Sequence, residues 1–180
     1  MTTYGSNRSL HSGHYGNWAP VPGQMLSSLI ASMKDENGNV SIEGFYDDVD
    51  PLTTYEIESM ANIPQIDAQL KKDLGLNDTE GSETLYERLL YPSLTIKGIS
   101  SGNVGIKTRN VIPASATASI GIRLVKGNDP DKMIDLSEKH IVKQGYHIVR
   151  EDPDEATRLA HPKIAKVVRG HGYPAARTSM

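Results

Sequence analysis

At 180 residues, with 37% hydrophobic and 23% charged side chains, the chain has material for one domain of ordinary size, or one with a small appendage. Its net charge of −3 and scattered basic residues exclude the concentrated positive face that nucleic acid requires, and the absence of cysteine excludes disulfides, thiolate metal sites and a cysteine nucleophile. The N-terminal residues lack a basic and apolar signal pattern, and no apolar run approaches the roughly 20 residues of a bilayer span, so a soluble cytoplasmic protein is expected.

Residues 1–19 are polar and rich in Gly, Ser and His, and only a short strand near 2–5 is expected there. After Pro20 and Pro22, the residues Met25, Leu26, Leu29, Ile30 and Met33 recur at helical spacing. They predict an amphipathic helix of about three turns that ends before Asn37-Gly38. Residues 38–92 then hold three short helical patterns: 53–61, where Thr53 and Glu56 suit a capping box, 64–74, closed by Gly75, and 82–90. So long a connection is expected to be a substructure of its own.

Alternation predicts a strand at 93–100, with Leu94 and Ile96 opposite Thr95 and Lys97. It recurs at 115–126, where Ala116, Ala118, Ile120, Ile122 and Leu124 share one face and Arg123 points to the other. Asn128-Asp129-Pro130 opens a second amphipathic helix, with Asp129 as N-cap, and Gly145 closes it. Residues 146–149 read as a last strand, and a further helix is expected from His161-Pro162 to Gly170, after which the chain ends as if cut short.

The order strand, helix, strand, strand, helix, strand predicts an α+β fold. It is a two-layer ferredoxin-like sandwich, an antiparallel sheet with two helices on one face, here with a helical insertion. The expected division is a domain over 1–160, an inserted subregion at about 38–92, and a segment 161–180 outside the domain.

The candidate chemistry is sparse. His11 and His14 stand in a Gly- and Ser-rich stretch that reads as loop, and the H-E-x-x-H pattern of a helical zinc site is missing. A polar surface loop, a substrate-polarising histidine, and a zinc site completed by His161 or His171 all remain open for that stretch. Ser12 has no G-x-S-x-G around it. Asp47, Asp48 and Asp50 lack EF-hand spacing, and Gly102, Gly105 and Lys107 do not form a phosphate loop. Asn110 reads by default as a turn-closing amide. Arg123 reads as a solvated strand residue or as a carboxylate clamp, because its planar fork matches a carboxylate with two parallel hydrogen bonds.

Taken together and in order, three stretches resemble a known family. They are Arg8-Ser9-Leu10-His11-Ser12-Gly13 with Tyr15-Gly16-Asn17 behind it, Asn110-Val111-Ile112-Pro113, and Ser119-Ile120-Gly121-Ile122-Arg123-Leu124-Val125. Their sequence and separation resemble the lid, or dimerisation, domain of the zinc metallopeptidase family of carnosinase, succinyl-diaminopimelate desuccinylase and aminoacylase. The resemblance covers residues 1–160, and 161–180 resembles the point where such a chain returns to its catalytic domain.

The resemblance implies a homodimer formed through the lid, attached to a parent catalytic domain that holds two zinc ions and hydrolyses an amide bond in a small peptide or N-acyl amino acid. It implies that His11 stabilises the oxyanion in trans across the dimer. It assigns Asn110 a polar contact to substrate or oxyanion, and Arg123 a grip on the substrate's carboxylate. The family's H-x-D, Glu-Glu and later metal ligands do not occur in these 180 residues, so no cofactor is expected in this chain and it is expected to be inactive alone. The rival readings are a stand-alone, non-catalytic dimerisation module of the same fold and a self-contained metalloenzyme using the chain's six histidines.

Overall fold

The computed structural model describes residues 1–175. It opens with β1 (Thr2–Tyr4) and a two-residue strand β2 (Leu10–His11), followed by a one-turn helix α1 (Ser12–Tyr15) and by α2 (Pro22–Ala31). Pro22 sits at the first helical position of α2, where its missing N–H costs nothing. The insertion contributes α3 (Thr54–Ala61), α4 (Asp67–Leu74) and α5 (Leu85–Arg88). Next come β3 (Ser93–Ser100), β4 (Val111–Ile112), β5 (Ser115–Arg123), α6 (Pro130–Lys143), β6 (His147–Val149), α7 (Glu155–Ala160) and β7 (Ile164–Lys166).

The five-stranded sheet has the order β3-β5-β1-β7-β6. Leu29 from α2, Met133 and Ile141 from α6, Leu94 from β3 and Ala165 from β7 belong to one buried cluster, so both long helices cover the same sheet face. The turn after α6 is tied to α2 as well, Tyr146 donating from its hydroxyl to the Met25 carbonyl at 3.0 Å. The fold is therefore the α+β sandwich expected, in the ferredoxin-like arrangement.

Local signals account for most elements. Asp129 caps α6 by accepting from the Lys132 N–H at 2.8 Å, and Gly145 adopts φ +86° after the helix. The Thr53/Glu56 capping box opens α3, and an equivalent box from Thr84 and Glu87 opens α5. Gly75 ends α4 in the left-handed region at φ +67°, a conformation that costs glycine little. None of α3, α4 or α5 carries a buried residue, as suits a substructure laid over the surface.

Three expectations fail. Residues 161–170 do not form a helix: α7 ends at His161 in extended conformation (φ −129°, ψ 120°), and β7 follows. Pro162 ends α7, because its ring drives the preceding residue out of the helical region, and beyond it the β-branched Ile164 and Val167 take the extended backbone that pairing with β1 and β6 rewards. Residues 176–180 of that expected tail lie outside the described residues.

The sheet is also not wholly antiparallel, because β7 enters between β1 and β6 and runs parallel to β6. Finally, the stretch after His11 is not simple loop but the helical turn α1, with His11 as its N-cap.

Candidate functional site

His11 and Asn110 are brought together by a small ribbon. In the antiparallel pair β2–β4, Leu10 lies opposite Ile112 and His11 opposite Val111, and the Ser12 N–H donates to the Asn110 carbonyl at 3.0 Å. Both side chains are exposed. Sequence separation hid this pairing, since about a hundred residues lie between the two strands.

The local sequence around His11 has a steric reason. His11 Nδ1 accepts from the Gly13 N–H at 3.1 Å, capping α1. A Cβ on residue 16 would stand 2.7 Å from the Ser12 carbonyl oxygen, so the backbone requires glycine there, and one on residue 13 would stand 2.9 Å from the ring's Cε1, so glycine there leaves the ring in place. With Nδ1 acting as acceptor, the proton of the neutral imidazole lies on Nε2, which is left as the donor. The His14 ring lies 4.6 Å away, tilted by 33°, and Tyr15 and Trp18 continue the aromatic series.

This end of the molecule is unusually apolar on its surface. Trp18, Val104 and Ile106 are 79, 87 and 99% exposed, on the segments that flank His11 and Asn110. An open groove of about 580 Å³ runs beside them, with Ser9, Val21, Ile99 and Arg109 on its wall. No periodic pattern marks these residues, which is why sequence inspection passes over them.

Arg123 is elsewhere. It ends β5, whose eight residue steps from Ser115 place it roughly 26 Å along the strand from the β2–β4 ribbon's side. Its guanidinium is held by the end of the insertion. Nη1 donates to the Leu89 carbonyl at 2.9 Å, and Nη2 donates to the carbonyls of Arg88 at 3.2 Å and Tyr91 at 2.7 Å. These carbonyls lie at the C-terminal end of α5 and on the turn into β3, where helix geometry leaves carbonyl oxygens without intrahelical partners. A cavity of about 850 Å³ opens beside the fork, between the insertion and the sheet.

Among the described residues, no group of three or more His, Asp or Glu side chains is placed to hold a metal ion. His11 with His14, and His147 with His161, meet instead as ring pairs, the latter stacked at 3.6 Å with an interplanar angle of 3°. A face-to-face pair directs its nitrogens side by side, not at a common point. Likewise, no helix of the described residues is long and apolar enough to cross a membrane.

Comparison with known proteins gives this arrangement a setting. The chain is 30% identical over 144 residues to a Cys-Gly metallodipeptidase of Candida albicans, covering 78% of this chain and 30% of that protein. It is 31% identical over 142 residues to the human beta-Ala-His dipeptidase, covering 76% of this chain and 27% of that one. The solved structure of a di-peptidase of Saccharomyces cerevisiae superposes with a TM-score of 0.73 at 26% identity, over 90% of this chain and 32% of that one. The chain thus spans about a third of the length of the relatives it matches. Residues 2–149 match the family described as the peptidase dimerisation domain, and the chain belongs to that family.

Proposed function

We propose that this chain is the lid and dimerisation domain of a cytoplasmic dinuclear zinc amide hydrolase acting on dipeptides or N-acyl amino acids. The metal ions belong to a catalytic domain outside these residues. Within the lid, His11 donates from Nε2 to the oxyanion of the tetrahedral intermediate, Asn110 adds a polar contact beside it, and Arg123 grips the substrate's carboxylate. A single preorganised donor of this kind is worth about 3–4 kcal/mol in the transition state.

One observation carries the reading: Arg123 ends β5, whereas His11 and Asn110 meet at the β2–β4 ribbon that precedes its start. His11 and Asn110 sit together before the start of β5, and the strand then runs roughly 26 Å from Ser115 to Arg123, a span that argues against one chain presenting all three to one small substrate. Two chains related by a two-fold axis present all three, if each active site takes His11 and Asn110 from one lid and Arg123 from the other. The exposed Trp18, Val104 and Ile106 support this, since they supply an apolar surface for the partner chain around the histidine.

Complementation tests it. In the full-length parent, His11→Ala and Arg123→Ala homodimers are both expected to be nearly inactive. Mixed and allowed to exchange subunits, half of the dimers become hybrids, each with one intact site, and activity should return to roughly a quarter of wild type. Failure to recover activity in verified hybrids would exclude the shared site. The stand-alone binding module has no specific observation in its favour.

A further inference from the structure

The cavity between the insertion and Arg123 has chemistry of its own. At about 850 Å³ it is large enough for a small ligand with a bulky side chain. Its wall is largely apolar, formed by Ile57 and Met60 of α3 and by Tyr46 and Tyr91, whose rings meet edge to face at 6.2 Å. Three cations border it. Two are already paired with carboxylates, Lys34 with Glu80 at 2.6 Å and Arg88 with Glu83 at 2.9 Å. Arg123 is held differently, by the three neutral carbonyl oxygens of residues 88, 89 and 91.

A carboxylate grips a guanidinium through two neighbouring N–H groups. Both two-pronged edges of the fork, Nε with Nη2 and Nη1 with Nη2, include Nη2, and both Nη2 hydrogens are engaged by the Arg88 and Tyr91 carbonyls. A bidentate ligand must therefore displace at least one carbonyl. The exchange replaces separate neutral acceptors with one anion that meets two parallel N–H groups of the planar fork at once, the geometry a guanidinium matches best. The displaced carbonyls anchor the end of α5, so the ligand and the insertion compete for the same donors.

We propose that this cavity receives the C-terminal residue of the substrate, with its carboxylate on Arg123 and a large apolar or aromatic side chain against Ile57, Met60, Tyr46 and Tyr91. Binding releases the end of α5 from the fork. The inference rests on the carboxylate role given to Arg123 above, and adds to it a preference for bulky C-terminal residues and a coupling to the insertion. A C-terminal glycine would leave the apolar wall without a partner.

The test uses the 180-residue chain itself, with N-acetylphenylalanine, N-acetylglycine and N-acetylphenylalaninamide as probes. Methyl resonances of Met60 and Ile57 report binding, and amide hydrogen exchange reports the state of residues 84–92. The aromatic acid should bind at least about tenfold more tightly than the glycine acid, and the amide should not bind. Exchange at 84–92 should rise on saturation, and R123A should raise it without ligand while abolishing binding. Ile57→Glu, at a position 55% exposed, should keep the fold and the need for a carboxylate but lose the aromatic preference.

Equal affinity for the two acids would overturn the side-chain pocket. Tight binding with 84–92 still protected would overturn the competition. If neither acid binds, the cavity is no carboxylate subsite and the inference falls, while complementation of His11→Ala by Arg123→Ala in the parent decides the shared site independently.

Discussion

The imidazole of His11 is oriented by the helix turn that it caps, because the Gly13 N–H occupies Nδ1 and leaves Nε2 as donor. His11→Ala in the full-length parent should lower kcat by a hundredfold or more with metal content unchanged, readable by steady-state kinetics beside elemental analysis. Normal turnover would remove the assigned role. Gly13→Ala separates orientation from presence: the new Cβ would come within 2.9 Å of Cε1 and 3.1 Å of Nδ1, so the ring must rotate away. We expect kcat to fall by roughly tenfold or more with circular dichroism unchanged, whereas an unaffected kcat would mean that this ring position is not needed.

At the scale of elements, β7 holds the sheet together more than its three residues suggest. Ala165 is fully buried between β1 and β6, pairing with Thr3 on one side and Ile148 on the other. Without it, both short strands would present unpaired edges to the core. Ala165→Glu places an unpaired carboxyl there and should cost at least about 3 kcal/mol, a loss measurable by thermal melting. A melting temperature close to wild type would mean that the strand is dispensable. The insertion shows the opposite regime: its helices bury no residue and are tied down by polar contacts, among them Lys34–Glu80 and the Arg123 fork. Local stability there is expected to lie well below that of the core.

At the scale of the whole molecule, two acid-sensitive groups stand on α6, where it meets α2 and the end of the sheet. Ser32 donates its hydroxyl to the Leu29 carbonyl and so accepts from His140 Nε2 at 2.9 Å. Burial, aided by nearby Lys143, pushes the His140 pKa below its ordinary value, so the unfolded chain binds this proton more readily than the folded one. That stability is complete above about pH 6.5 and is lost as the pH falls below it. Glu138 acts in a lower window. Arg150 and Arg169 hold its carboxyl down to about 2, against an ordinary value of about 4.5, so its contribution is present above about pH 4.5 and disappears as the pH falls towards 2. Because both arginines are partly exposed, the Glu138 contribution should be only on the order of 1 kcal/mol. Urea unfolding against pH should show two declines, with Glu138→Gln reducing the lower, which Asp35, Glu87, Asp152 and Asp154 share, and His140→Gln removing the upper; a decline of unchanged size in either variant would refute its assignment.

The sequence by itself determined what short-range chemistry dictates. Alternation in 115–123 set β5 and turned Arg123 away from the core, and Asp129 with Pro130 set the start of α6. Thr53 with Glu56 opened α3, and the motif around His11 marked the residue whose surroundings include two glycines. Long-range pairing was not legible. That β7 enters between β1 and β6, that Ser12 meets Asn110, and that the fork of Arg123 meets the end of α5 depend on residues about 20 to 160 positions apart, with no local pattern to connect them. The helix expected after His161 failed for the same reason: strand neighbours reward extended backbone there, and only the assembled sheet supplies them. Spacing along one chain names the candidate residues, but only the sheet decides that Arg123 ends β5 while His11 and Asn110 meet at the β2–β4 ribbon before its start, the separation on which the proposed two-chain site rests.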